Sequence, residues 1–116
     1  MHLKIGDKVR LTDDVTSEYY DRGEIYVEGT KGSIAIILSP EEFLLDDTYK
    51  QIYSHAEITR GMLAGERYPI RYEKKAPMSM IPFSGIEIMD CCREGRVGLV
   101  PVYVLEKLQD NTSQHV

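Results

Sequence analysis

The apolar residues of this chain occur in short runs separated by turns that contain glycine or proline, and this spacing restricts the fold more than any other feature. The most apolar run, residues 33–38, reads Ser-Ile-Ala-Ile-Ile-Leu. It has the length of a strand and is far shorter than the roughly 20 residues of a membrane-spanning helix. Continuous apolar character predicts a central strand that is covered on both faces. The spacing therefore predicts a mainly β domain.

Alternating polar and apolar residues predict further strands on either side of this run. Residues 8–12 alternate with period two, which predicts a half-buried strand with Val9 and Leu11 facing inward. Residues 67–73 also alternate, and Pro69 predicts an edge strand or a bulge because proline has no N–H to donate. Further strands are predicted at residues 86–92, 96–100 and 104–108, with residues 93–95 as a hairpin turn between the first two.

One helix is predicted immediately after the central strand. Ser39 is a typical N-cap, Pro40 suits the first helical position, and Glu42 occupies the capping-box position. The helix should cover about residues 40–60, end before Gly61 and pack on the strands as an insertion. Its apolar face is predicted to contain Leu45, Tyr49, Ile52, Tyr53 and Ala56.

Residues 13–28 lack a sustained period and are predicted to form a long loop, with an irregular hairpin around Gly23 as an alternative. The remaining elements fit a single domain over residues 1–108, because 42% of the 116 residues are hydrophobic and no break in composition divides them. Residues 109–116 are almost entirely polar and are predicted to be a disordered tail.

The charge and the cysteines limit the partners and the compartment. The formal net charge of −5 makes nucleic acid an unlikely partner, because 19 acidic residues face 14 basic ones. The absence of an apolar leader or span predicts no membrane association. The only two cysteines, Cys91 and Cys92, are adjacent, which favours a reducing, cytoplasmic location.

No set of residues predicts a catalytic centre, a metal site or a cofactor. The segment Gly29-Thr30-Lys31-Gly32 lacks the spacing of a phosphate-binding loop and is predicted to be a turn. Because adjacent residues of a strand point to opposite faces, one of Cys91 and Cys92 should be a small core residue and the other should be partly exposed. Whether these thiols have a redox or metal role stays open.

Two stretches resemble SH3-like barrels. The first is Ile5-Gly6-Asp7-Lys8-Val9-Arg10-Leu11 followed by Gly29-Thr30-Lys31-Gly32-Ser33-Ile34, and the second is Gly98-Leu99-Val100-Pro101-Val102-Tyr103-Val104-Leu105. The resemblance covers about half the chain and implies a small SH3-like barrel of five or six strands with the helix inserted. In such a barrel a Val-Pro strand end passes through one helical turn into the last strand.

The opening stretch is also similar to that of the nitrile hydratase β-subunit and nitrogen-fixation accessory families, which implies no function by itself. Peptide-binding SH3 domains have a tryptophan in the ligand groove, and this chain has none. Ordinary polyproline binding is therefore not expected.

Tyrosines supply the candidate binding residues. The resemblance places Tyr19, Tyr20 and Tyr26 on one wall of a groove and Pro101 with Tyr103 on the other. Tyrosine suits such a surface because it combines apolar area with a hydroxyl that can stay hydrated. The alternative is that Tyr26 and Tyr103 only close the ends of the barrel.

Two functions are consistent with these observations. The first is a non-catalytic protein-binding or accessory module whose partner the sequence does not identify. The alternative is a small enzyme or ligand-binding protein with a pocket between the inserted helix and the barrel, using Asp46, Asp47 or His55. A homodimer is also predicted, because an edge strand at residues 67–73 and an apolar helix face would both need cover.

Overall fold

The computed structural model of the chain describes residues 3–81 and 83–108. Eight strands and three short helices lie within these residues, so the prediction of a mainly β domain is confirmed, with more strands and helices than expected. The strands are β1 (Lys8–Leu11), β2 (Val15–Tyr19), β3 (Glu24–Gly29), β4 (Ile34–Ile37), β5 (Arg67–Lys74), β6 (Glu87–Asp90), β7 (Val97–Pro101) and β8 (Leu105–Lys107). The helices are α1 (Pro40–Phe43), α2 (Asp47–Ile52) and α3 (His55–Leu63), and single 3-10 turns cover Tyr20–Arg22 and Val102–Val104.

Five strands form the larger sheet in the order β7-β5-β4-β1-β8, with every neighbouring pair antiparallel. β1 lies between β4 and β8, so the first strand of the sheet pairs with the last. Val9 and Leu11 are buried as predicted, and they pack in one cluster with Ile70 and Tyr72 of β5. The main core therefore lies on one face of the larger sheet.

The smaller sheet contains β2, β3 and β6, and it corrects the prediction of a long loop at residues 13–28. β2 and β3 form an antiparallel hairpin, which was the alternative considered around Gly23. Ile25 and Val27 of β3 are buried, whereas β2 has no fully buried residue. β2 was missed because a strand without an apolar face leaves no alternating pattern in the sequence.

β5 is not an edge strand, because it lies between β4 and β7. Pro69 is accommodated where the pairing with β4 ends: the Leu38 N–H donates to the Pro69 carbonyl (2.9 Å), one residue beyond the last residue of β4. A residue with an N–H at position 69 would therefore direct it beyond the end of β4, where the pairing between β4 and β5 has already stopped. An interior strand can contain a proline at such a position without interrupting the sheet.

The predicted hairpin between residues 86–92 and 96–100 is also wrong. β6 pairs in parallel with β3 in the smaller sheet, whereas β7 pairs with β5 in the larger one. The connection at residues 91–96 therefore carries the chain from one sheet to the other. Gly95, at its far end, donates its N–H to the Tyr72 carbonyl of β5 (2.7 Å).

Three short helices replace the single predicted helix. Ser39 caps α1 as predicted, but Asp46 caps α2 and Ser54 caps α3 with a complete capping box to Glu57. Each new cap starts a new helix, because its side chain satisfies N–H groups that a continuous helix would pair with its own carbonyls. Phe43 and Ile58 form a second buried cluster, against which Tyr49 and Tyr53 pack. None of the helices within the described residues combines the length and the apolar character needed to cross a membrane.

A buried hydroxyl network holds the turn between β3 and β4. Thr30 and Ser33 are the fully buried polar residues of this turn, and their hydroxyl oxygens lie 2.6 Å apart. The Thr30 hydroxyl donates to the Ala76 carbonyl (2.7 Å), and the Ala76 N–H donates to the Ser33 hydroxyl (2.9 Å). Ala76, in the segment that follows β5, is therefore hydrogen-bonded to the turn through both its N–H and its carbonyl. The predicted disordered tail lies outside the described residues.

Replacing Thr30 with valine should destabilise the fold, because valine keeps the shape but leaves the Ala76 carbonyl without its donor. We expect a loss of about 1–3 kcal/mol in the free energy of unfolding, measured by urea denaturation. The exposed Thr12 provides the matched control through Thr12→Val. Equal stability of the two variants would contradict this role of the network.

Candidate functional site

Exposed aromatic residues lie at the end of the β2–β3 hairpin. Tyr19 ends β2 with 41% of its surface exposed, and Tyr20 begins the 3-10 turn with 60% exposed. Gly23 closes this turn in the left-handed conformation (φ 66°), and its N–H donates to the Tyr20 carbonyl (3.1 Å). Glycine adopts this conformation without strain, so the turn holds Tyr20 outside the sheet at little cost.

A second turn, residues 83–86, lies directly against the first. The Glu87 N–H donates to the Gly23 carbonyl (2.8 Å), and a Cβ at Gly23 would lie 2.7 Å from the Gly85 carbonyl oxygen. Phe83 begins this second turn and is 52% exposed. We call residues 19–23 together with residues 83–86 the hairpin tip. The tip thus brings aromatic side chains from two distant parts of the chain onto one end of the smaller sheet.

Tyr26 supports the tip from β3. Its ring meets the Tyr19 ring edge-on at 5.5 Å, and the Arg22 guanidinium lies 4.4 Å from the centre of the Tyr19 ring on its face. The Tyr26 hydroxyl donates to Glu24 (2.7 Å), and this hydrogen bond raises the pKa of Tyr26. The same carboxylate pairs with Arg22 (3.4 Å). Ring contacts and charge pairing therefore fix the orientation of Tyr19.

Pro101 and Tyr103 lie at the other predicted wall. Pro101 ends β7 opposite Arg67, and Tyr103 is in the following 3-10 turn with 81% of its surface exposed. Among the described residues, no hydrogen bond or ring contact connects either of them with Tyr19, Tyr20 or Tyr26. The structure thus groups the three hairpin tyrosines together and leaves Pro101 and Tyr103 as a separate exposed corner.

Ile81 and Phe83 are exposed apolar residues that the sequence pattern did not indicate as binding residues. Both are exposed, Ile81 at 80%, in the connection between β5 and β6. Lys75 anchors the start of this connection by its ion pair with Asp90 (2.7 Å), and the contact at Gly23 anchors its end. The available signal was the cluster of methionine, isoleucine and phenylalanine at residues 78–83, which has no helical or strand period and so could not contribute to a regular core face.

Acidic residues flank the aromatic residues of the tip along the chain. Arg22 is the basic residue in the first turn of the tip, and the Arg22 guanidinium already contacts the Tyr19 ring and the Glu24 carboxylate. The acidic residues on and beside the tip are Glu18, Asp21, Glu24 and Glu87. The tip therefore presents an apolar centre with a negative border.

A small cavity lies between α2 and the strands. This cavity of about 10 Å³, which has room for a single water molecule, is lined by Glu28, Tyr49, Tyr72 and Arg96 among others. Asp46, Asp47 and His55 are not among its lining residues. Asp46 caps α2 instead. The His55 ring is hydrogen-bonded to Glu41 (2.8 Å) at the surface, and this hydrogen bond lowers the pKa of Glu41. A cavity of this size does not hold a substrate.

An open recess of about 580 Å³ runs along α3. Its described lining comes from this helix alone, namely His55, Ala56, Thr59, Arg60, Leu63 and Ala64. A ligand there would be held from one side by these residues, whereas ligand pockets enclose most of a ligand's surface. His55, one of the residues of the predicted alternative, lines this open recess, and the alternative of a ligand pocket stays a prediction.

Cys92 is buried and Cys91 is partly exposed, which confirms the predicted division. The Arg96 guanidinium donates to the Cys91 carbonyl, and this hydrogen bond lies within the connection between the two sheets. Within residues 3–81 and 83–108, no group of three or more histidine, cysteine, aspartate or glutamate side chains is placed to hold a metal ion.

Comparisons with protein families, with characterised proteins and with solved structures found no match for this chain.

Asp90 should make the anchoring of the tip pH-dependent. Partial burial opposes ionisation of Asp90, but bonds from Lys75 and the Cys92 N–H and the charge of Arg93 together lower its pKa. A lowered pKa stabilises the fold above the unfolded-state value of about 4, and this stabilisation is lost as the pH falls through the folded-state pKa. Asp90→Asn should therefore lower the melting temperature at pH 7, and its difference from wild type should shrink below pH 4.

Thermal denaturation at pH 7 and pH 2.5 measures this difference. Glu66→Gln is the control, because Glu66 is exposed and its described bonds are made by the backbone. A deficit of Asp90→Asn that is the same at both pH values would show that Asp90 acts through its shape and not through its charge.

Proposed function

We propose that this chain is a non-catalytic protein-binding or accessory module that contacts its partner through the hairpin tip. The observation that carries the proposal is the exposure of Tyr19, Tyr20 and Phe83 on two turns that hold each other in place. Large aromatic side chains that are already oriented lose little freedom on binding, which is why such residues dominate protein interfaces.

The chemistry of the tip favours one class of partner. An apolar centre with a border of carboxylates matches a protein surface that has an apolar pocket flanked by lysine or arginine. The same border repels phosphate groups, so it disfavours nucleic acid and anionic lipid. The partner is therefore a protein with a basic rim around an apolar site.

Three further expectations belong to this proposal. The cytoplasmic location follows from the adjacent cysteines. The SH3-like barrel has support at one place, where β7 ends at Pro101 and passes through the 3-10 turn Val102–Val104 into β8. Pro101 and Tyr103 at this corner form a second candidate contact surface, separate from the tip.

Affinity capture from the organism that produces the protein tests the role of the tip. Wild-type protein is compared with Tyr20→Ala/Phe83→Ala, which removes exposed rings without removing core contacts. We expect recovery of the specific partner to fall at least tenfold for the double variant, and recovery by wild type to decrease as salt is raised from 50 to 500 mM.

The control is Leu45→Ala/Leu63→Ala, which removes two apolar side chains of the helical insertion that are more exposed than Tyr20 and Phe83. Its partner recovery should equal that of wild type. Circular dichroism establishes that all three proteins are folded. Loss of the partner with the control, or its retention by the tip variant, would exclude the tip as the binding surface.

The homodimer stays a prediction, and its two original motives are weaker in the structure. β5 is an interior strand, and Tyr49 and Tyr53 pack against Phe43 within the chain, although Ile52 is exposed. Light scattering at micromolar concentration measures the mass. Twice 13.3 kDa is expected for a dimer, and a mass that stays at 13.3 kDa as the protein is concentrated would exclude it.

A further inference from the structure

The hydroxyl of Tyr72 is buried without a partner. Tyr72 is 1% exposed, and its hydroxyl is the buried side-chain polar atom that has no hydrogen-bond partner among the described residues. A buried hydroxyl without a partner loses its hydration and gains nothing in return, so native structures seldom contain one. Its position therefore requires an explanation.

Two glycines make room around this hydroxyl. A Cβ at Gly29 would overlap the Tyr72 hydroxyl, and a Cβ at Gly98 would contact the Tyr72 Cε2 atom at 3.8 Å. Gly98 and Tyr72 both line the cavity of about 10 Å³. The hydroxyl end of the ring is thus placed at this cavity by residues of three strands, β3, β5 and β7.

Two charged side chains and a second phenol line the cavity alongside the apolar residues Val15, Val97, Leu99 and Val100. Glu28 and Arg96 line it with opposite charges, yet neither takes part in any of the ion pairs formed among the described residues. The phenol of Tyr49 also lines it. Burial raises the pKa of Tyr49 and of Tyr72, with a further contribution from Glu28 in each case, so both phenols keep their protons at neutral pH.

We propose that this cavity binds one water molecule, which accepts hydrogen bonds from Tyr72 and Arg96 and donates one to Glu28. A buried water needs a space of about 10–15 Å³ and two to four polar partners, and the cavity provides both. The water gives the Tyr72 hydroxyl its partner and connects two opposite charges that do not pair directly. Larger ligands are excluded by the volume.

This water connects separate parts of the fold. Glu28 belongs to the smaller sheet, Tyr72 belongs to the larger sheet, and Arg96 lies in the connection between them. Tyr49 of α2 covers the same cavity. The bound water is therefore a junction between the two sheets beneath the helical insertion.

Tyr72→Phe tests the proposal, because phenylalanine keeps the ring and removes only the hydroxyl. If the hydroxyl bonds to the water, the variant should melt about 2–5 °C below wild type, because the water loses a donor. If the hydroxyl has no partner, its removal relieves a buried polar group and the variant should melt at or above the wild-type temperature, which would overturn the proposal. Tyr68→Phe is the matched control on the same strand, because the Tyr68 hydroxyl is not among the buried polar atoms that lack a hydrogen-bond partner.

Two further measurements keep the test independent of the stability of one variant. The double variant Tyr72→Phe/Glu28→Gln should lose less than the sum of the two single variants, because both act on one water. A high-resolution crystal structure of the wild-type protein should show a density peak within about 3.2 Å of the Tyr72 hydroxyl oxygen. Additive losses, or a cavity without density, would overturn the proposal.

Discussion

The turn between β3 and β4 is one of the connections that join the two sheets, and a buried hydroxyl network holds it. The chain leaves the smaller sheet at Gly29 and enters the larger one at Ile34, and the four residues between them include two buried hydroxyls. Buried hydroxyls are tolerated only where their bonds are complete, and here Thr30 and Ser33 bond to each other and to Ala76. The same three residues therefore set the direction of β4 and the start of the connection that ends at the hairpin tip.

The helical insertion is held by a small buried cluster of Leu38, Phe43 and Ile58. Phe43 is fully buried and contacts the Tyr49 ring at 4.7 Å, which in turn stacks on Tyr53 at 6.3 Å. Helices of four, six and nine residues are too short to be stable alone, so packing must hold them. The spacing of apolar residues predicted one continuous amphipathic helix. The structure has three short capped helices instead, packed around the rings of Phe43, Tyr49 and Tyr53.

Much of the larger sheet could be predicted because its strands alternate or are continuously apolar. Val9 and Leu11 occupy the core, and so do Ala35, Ile37 and Leu38 of the apolar run at residues 33–38. Ile34 and Ile36 of that run are only partly buried, so the second face of β4 is less covered than its continuous apolar character predicted. The pairing of the strands could not be predicted, because the alternation in residues 67–73 predicts a strand but does not identify its neighbours. Pro69 suggested an edge strand, but β4 ends beside Pro69, so an interior strand can contain this proline. The tyrosines of the candidate site were found by residue type. Phe83 was not, because its position beside Gly23 arises from a parallel pairing between segments about sixty residues apart.

The pairing of β1 with β8 has a consequence for synthesis. Val9, Arg10 and Leu11 face Lys107, Glu106 and Leu105, so the sheet gains its last strand only after almost the whole described chain has left the ribosome. Contacts between such distant segments slow folding, because the long intervening loop must close first. Until then β1 has one open edge, and the apolar side chains of Val9 and Leu11 lack part of their cover. A nascent chain of this topology is therefore exposed to aggregation and to chaperones for most of its elongation.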